Sequence, residues 1–359
     1  MNKPKLRDSN LELYRIIVML LIVAHHYVVN SGLTSLGGPI SADPTSAKSL
    51  FLLLIGAWGK TGINCFVLIT GYFMCKSQIT LKKFLKLFLQ VMFYKVVINT
   101  IFWVTSYEPL TIKGFVKAML PIRVLGTGFT AAYLLFFLFI PFLNILVNNM
   151  NEKQHIRLLL LLSFTYIFLG TMPFFSVTMN YTSWFMVLYI MASYIRIYPK
   201  KVFENTKLWG WLSLLFITTA AVSVIVCTYI SKMTGSLYWY YFVQDSNTLL
   251  AVLIGISTFL FFKNIKMKYH PLINSISATC FGVLLIHANG EAMRRFLWQD
   301  LLNNVEMYTS PLLYVHAVGS VVGVFVICSI IDMARIKFAE IPFFKYYDKM
   351  YDKMSSRFN

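Results

Sequence analysis

Long apolar runs separated by short polar connections repeat along the whole chain. Windows of about 20 apolar residues fall near 10–31, 51–73, 84–105, 131–149, 157–173, 183–199, 209–230, 245–262, 278–298 and 311–334. The runs are continuous rather than alternating, which is the pattern of membrane-crossing helices and not of a β-barrel. The expected fold class is therefore all-α, a polytopic membrane bundle of about ten transmembrane helices. The fifth and sixth windows are short, and the eighth opens on polar Asp245-Ser-Asn-Thr248. The first apolar core ends near Val29 with no small-residue cleavage site, so it reads as a retained span rather than a signal peptide.

The polar exceptions inside these runs carry the chemical information, because ionisable groups at membrane depth are costly. Arg15 and His26 both lie in the first run. Eleven residues at about 100° each amount to three turns plus about 20°, so the two share one helix face, about 16 Å apart along the axis. His25 points away from that line and reads as a packed neighbour. Glu12 stands one turn before Arg15, so the pair either forms a plain ion pair near the interface or belongs to a polar stripe that includes His26. In the ninth run, His287, Glu291 and Arg294 fall on one face of a continuous helix. There Glu291 either neutralises Arg294 or Arg295, or works with His287. Lys60 and Lys95 are further cations at membrane depth, and each is able to snorkel outward.

Charge distribution adds orientation. Only 13% of residues are charged, about half the usual share of a soluble domain. The net charge of +18 invites a nucleic-acid reading, which its placement rejects. Of 32 Lys and Arg residues, 22 fall in one set of alternate connections, 5 in the other and 5 within spans. By the positive-inside rule the richer set is cytoplasmic, and both termini lie there. A membrane domain over 1–335 and a cytoplasmic tail over 336–359 follow, the tail lying along the inner surface with its aromatics at the interface. The connection at 106–130, with Pro109, Gly114, Pro121, Gly126 and Gly128, reads as an irregular lid or re-entrant segment. Lys82, Lys83 and Lys86 form a basic cluster beside the third span. Such a cluster attracts anionic lipid, and at the mouth of a polar tunnel it also holds phosphates. The five cysteines are scattered singly, no metal-ligand spacing occurs, and no metal is expected.

These residues resemble the membrane acyltransferase-3 family of bacterial O-acyltransferases. Asn10 through His26 resembles that family's Arg-x10-His signature, with Arg15 and His26 in the two motif positions. Phe66-Val-Leu-Ile-Thr-Gly-Tyr-Phe73 is similar to its FVLSGF pattern, with Thr70 in place of Ser. Phe281-Gly-Val-Leu-Leu-Ile-His287 is similar to its FGIYLIH motif, with Leu284 in place of Tyr. The resemblance extends over roughly residues 9–335. It implies ten spans in a bacterial plasma membrane, and transfer of an acyl group, commonly acetyl from cytoplasmic acetyl-CoA, to hydroxyls of capsule, exopolysaccharide or another surface glycan. Family members often carry arginines after the second span, where this chain has Lys82, Lys83 and Lys86. Lysine supplies the charge without the bidentate fork.

On this reading His26 acts as general base on a sugar hydroxyl or accepts the acetyl group transiently. Arg15 serves the donor's phosphates or carbonyl oxygen, and His287 orients His26 or contacts the acceptor. Lys82, Lys83 and Lys86 meet the phosphates of CoA. The rival from composition alone is a transporter or flippase for a polar envelope precursor. A sensor or scaffold without turnover leaves the Arg15/His26 alignment unexplained.

Overall fold

The computed structural model describes residues 8–120, 128–175, 177 and 180–358, with side chains as far as Lys353. Lys3, Lys5 and Arg7 of the expected inner charges and Arg123 of the expected outer ones lie outside the described residues, as do Pro121 and Gly126 of the expected lid. The main helices in chain order are α1 (Ser9–Val29), α2 (Ala47–Met74), α3 (Leu81–Val104), α4 (Phe129–Asn149), α5 (Glu152–Thr171), α6 (Tyr181–Ile197), α7 (Thr206–Thr234), α8 (Leu249–Asn264), α9 (Pro271–His287), α10 (Glu291–Leu301) and α11 (Leu313–Lys353). Among the described residues, seven of them (α1–α5, α7 and α11) are long and apolar enough to cross a membrane. The pair α9 and α10 makes an eighth if it is counted as one span. Every expected apolar window overlaps one of these helices.

Polar side chains set where several helices begin. Asn180 accepts from the Ser183 amide at the start of α6, and Asn205 does the same for Leu208 at the start of α7. Asn151 and Gln154 form a reciprocal capping box at the start of α5. Each satisfies amides that the first helical turn leaves without partners. The polar segment 245–248 lies before α8 as a turn, and the helix starts only at Leu249. Within the connection 106–130, Ile112–Met119 is a short helix capped by Thr111.

The ninth window departs from expectation. It is not one continuous helix: α9 stops at His287, α10 starts at Glu291, and the two axes meet at 97°. The common face proposed for His287, Glu291 and Arg294 therefore does not exist, because a helical register does not carry across a break. The last helix departs in the opposite sense. It continues beyond 335 through a π turn over Ile336–Glu340 as a single 41-residue helix, rather than turning at once onto a membrane surface.

The helix α2 is central, with 72% of its apolar window buried, whereas α7 is peripheral with 17%. α1 packs against α2, α8, α9 and α11. Its contact with α2 depends on glycine. A Cβ at Gly59 would lie 2.2 Å from the His25 ring, closer than any real contact allows. At the other end of α1, the Asn10 amide donates to the carbonyls of Phe262, Lys263 and Ile265 at 2.9–3.1 Å. It satisfies acceptors that the end of α8 leaves unpaired. These contacts hold α1 rigidly between the helices that complete the site.

Candidate functional site

Because α1 lies inside the bundle, its polar stripe faces protein rather than lipid. It lines a cavity of about 1330 Å³ together with residues from α2, α3, α4, α6, α9 and α10. Drug-sized ligands occupy pockets of about 300–1,000 Å³, so this space holds a large polar molecule or two smaller ones. Arg15 and His26 both border it. Lys83, Lys86 and Gln90 of α3, with Cys280 of α9, line it on the side of Arg15. Lys60 of α2, Asn289 of the break after α9, and Arg294 of α10 line it on the side of His26.

The break after α9 has a chemical consequence. It ends the helix at His287 and leaves that ring fully buried against α1. Its Nε2 lies 2.9 Å from Nδ1 of His26, and its Nδ1 lies 2.6 Å from the carbonyl oxygen of Val283. A carbonyl only accepts, so Nδ1 of His287 carries the hydrogen. In the neutral ring Nε2 then has a lone pair and accepts from Nδ1–H of His26. Nε2 of His26 is left unprotonated, on a residue that borders the cavity. The chain carbonyl–imidazole–imidazole thus settles one tautomer and one ring orientation. Trp298 of α10 packs edge-on against His287, with ring centroids 6.4 Å apart, and closes the site behind it.

At the other end, Glu12 receives Nη1 of Arg15 at 2.8 and 3.0 Å on its two oxygens. The Ser277 hydroxyl from α9 also donates to Glu12. Both alternatives for Arg15 are therefore realised at once: it is ion-paired, and it borders the cavity. Its position about 16 Å along the helix from His26 keeps it off the atoms that His26 meets.

The basic cluster divides. Lys83 borders the cavity, with Nζ donating to Ser77 Oγ and the Gln78 carbonyl at 2.7 Å each. Lys86 also borders it and pairs with Glu340 at 2.6 Å. Lys82 does not. It turns to α11, where it pairs with Asp348 at 2.7 Å and lies 5.8 Å from the Phe344 ring centroid.

Several residues take places in the site that the sequence reading did not give them. His25 is part of the wall, with Nδ1 donating to the Gly56 carbonyl at 2.5 Å. Lys60 does not snorkel away: Nζ donates to the Tyr181 hydroxyl at 2.6 Å and borders the cavity. Thr70, in the Phe66–Phe73 motif, bonds the Tyr133 hydroxyl at 3.0 Å, and both face the same space. Asp332 is fully buried and accepts from Tyr94 at 2.7 Å and Arg335 at 2.6 Å, tying α3 to α11 beside the cavity. A Cβ at Gly282 would lie 2.1 Å from its carboxyl carbon, so the glycine of the FGVLLIH segment is what lets α9 approach α11. Asp332 and Gln90 were missed; their signal was a polar group inside an apolar window, and nothing local pointed to their partners.

Outside the spans, Arg295 bonds Glu108 and the Tyr107 hydroxyl, and Tyr107 donates to Asp300. Partial burial, reinforced by that bond to Asp300, holds the Tyr107 phenol above its ordinary range. Among the described residues no group of three or more His, Cys, Asp or Glu gathers as a metal-ligating set.

A sequence model of the acyltransferase domain of the acyltransferase-3 type matches residues 8–332, nearly the whole helical bundle. No curated protein and no solved structure matches the chain.

Proposed function

The chain belongs to the membrane acyltransferase-3 family, and on that premise we propose that it moves an acetyl group from acetyl-CoA to a hydroxyl of a cell-envelope or exported carbohydrate. The observation that carries this reading is the His26–His287 pair, which engages Nδ1 of His26 and leaves its Nε2 without a hydrogen on a residue that borders the cavity. In this mechanism Nε2 takes the proton of the sugar hydroxyl while its oxygen attacks the acetyl carbonyl carbon. The C–S bond of the thioester then breaks, and the imidazolium returns the proton to the departing thiolate, giving the acetyl ester and free CoA. Histidine suits both transfers because its pKa lies near operating pH. His287 touches no reacting atom and is a positioning residue.

The donor occupies the end with Arg15, Lys83 and Lys86, where fixed cations meet its phosphates. Arg15 serves that end and not the acetyl carbonyl, given its distance from His26. Lys82 is left out of this role because it faces α11. A donor on one face of a membrane and a glycan on the other are brought together by a bundle of this kind, with ten spans and both termini cytoplasmic in a bacterial plasma membrane.

Membranes containing the chain, given radiolabelled acetyl-CoA, are expected to place label in carbohydrate. His26→Ala is expected to lose about 10²–10⁴-fold of that transfer while inserting normally. No label with the unaltered chain would favour the transporter or flippase reading. Full transfer by His26→Ala would remove the proposed base.

A further inference from the structure

The two ends of the cavity differ in how their charges are balanced. On the Arg15 side two of the three lining cations have carboxylates, Arg15 with Glu12 and Lys86 with Glu340, while Lys83 donates to the Ser77 hydroxyl and the Gln78 carbonyl. On the His26 side the lining contains Lys60, Lys113, Lys117 and Arg294, against Glu108 and Glu291. Glu108 is already bound by Arg295. Lys60 has a neutral partner, the Tyr181 hydroxyl at 2.6 Å, and lies 5.3 Å from that ring's centroid. Among the described residues no carboxylate lies within ion-pair distance of Lys60 or Arg294, while Arg15, Lys86 and Arg295 each have one.

Both cations line the same cavity as His26, which itself becomes positive when it takes a proton. Three positive charges in one recess repel one another most at the step the site has to accelerate. An anion bound beside half-buried Lys60 and Arg294, which is exposed within the cavity wall, removes that repulsion by supplying a counter-charge.

We propose that the acceptor is an acidic carbohydrate, with a phosphate or carboxylate close to the acetylated hydroxyl, and that Lys60 and Arg294 hold that anion. The proposal rests on the transferase reading above and narrows its substrate class. Lys60 projects from the turn of α2 that packs on His25, and Arg294 from the first turns of α10. An anion held by them keeps the acceptor on the His26 side of the shared cavity. The donor's own phosphates are drawn to the opposite end, about 16 Å along α1.

The test begins with membranes containing the full chain and radiolabelled acetyl-CoA. Labelled carbohydrate is digested to its smallest acetylated fragment and run on an anion-exchange column. Retention at pH 7 is expected. Retention that persists at pH 2 identifies phosphate, and its loss there identifies carboxylate. A labelled fragment that flows through at pH 7 overturns the proposal. In the second arm, deacetylated surface glycan from the same cells is titrated as acceptor with purified protein. Lys60→Gln combined with Arg294→Gln is expected to raise the acceptor KM by at least about tenfold, the loss of a charge-assisted hydrogen bond, with kcat nearly maintained. Lys60→Arg with Arg294→Lys keeps the charge and is expected to recover most of that affinity. A rise in the acetyl-CoA KM in place of the acceptor KM also overturns the proposal, because it assigns these cations to the donor. If the unaltered chain labels no carbohydrate, the transferase reading itself fails and takes this one with it.

Discussion

Replacing His287 with leucine removes the acceptor that determines how His26 presents its free nitrogen. Leucine is similar in size and the position is fully buried, so the surrounding helices keep their places. Nδ1–H of His26, now 2.9 Å from Nε2 of His287, is left without a partner in the bundle interior. An unmade buried hydrogen bond costs about 1–3 kcal/mol. The ring recovers part of that by turning, or by shifting its hydrogen to the nitrogen that has to stay bare. If the whole cost appears in the chemical step, at about 1.36 kcal/mol per decade of rate, kcat falls about 5- to 160-fold. The acetyl-CoA KM should hold, because Arg15 and Lys83 lie at the far end of the cavity. His287→Gln returns an acceptor near the position of Nε2 and is expected to restore part of the rate. The assay is acetyl transfer by purified protein across donor concentrations, with thermal melting followed in the same detergent. A leucine variant with unaltered kcat would refute the positioning role, and so would a loss of rate that merely tracks a loss of folded protein.

Two further outcomes test the frame around the site. Glu12→Gln keeps the shape of a buried side chain but removes the counter-charge of Arg15, whose own side chain remains 23% exposed. Thermal denaturation should show a loss toward the lower end of the roughly 3–5 kcal/mol expected when a buried pair is broken from one side. Gly282→Ala would put a methyl group 2.1 Å from Asp332, which Tyr94 and Arg335 hold in place. It should cost at least about 1–3 kcal/mol by overpacking, whereas Gly290→Ala, with nothing within 4 Å, should stay within about 0.5 kcal/mol.

Much of this arrangement was legible in the chain because it depends on local period and composition. Helices appear where apolar length demands them, since a backbone in hydrocarbon has to satisfy its own hydrogen bonds. Arg15 and His26 face one cavity because eleven residues bring a helix almost back to the same azimuth. The capping residues Asn151, Asn180 and Asn205 mark helix starts by the chemistry of their own side chains.

What stayed illegible involves partners far apart in sequence or a small rotation about an axis. His26 and His287 are 261 residues apart, and their bond depends on a helix break at Ala288-Asn289-Gly290, where the Asn-Gly turn signal sits inside a long, mostly apolar window. Lys82 and Lys83 differ by one residue, yet about 100° of helix rotation sends one to α11 and the other to the cavity. The counter-charges that balance the Arg15 end, and their scarcity near Lys60 and Arg294, likewise arise only once α1, α2, α3, α10 and α11 pack together. Period and hydropathy act through neighbours in the chain and so determined the helices and their polar faces. Which polar groups meet was decided by packing, because an ion pair or hydrogen bond depends on distances of a few ångströms that no local pattern encodes.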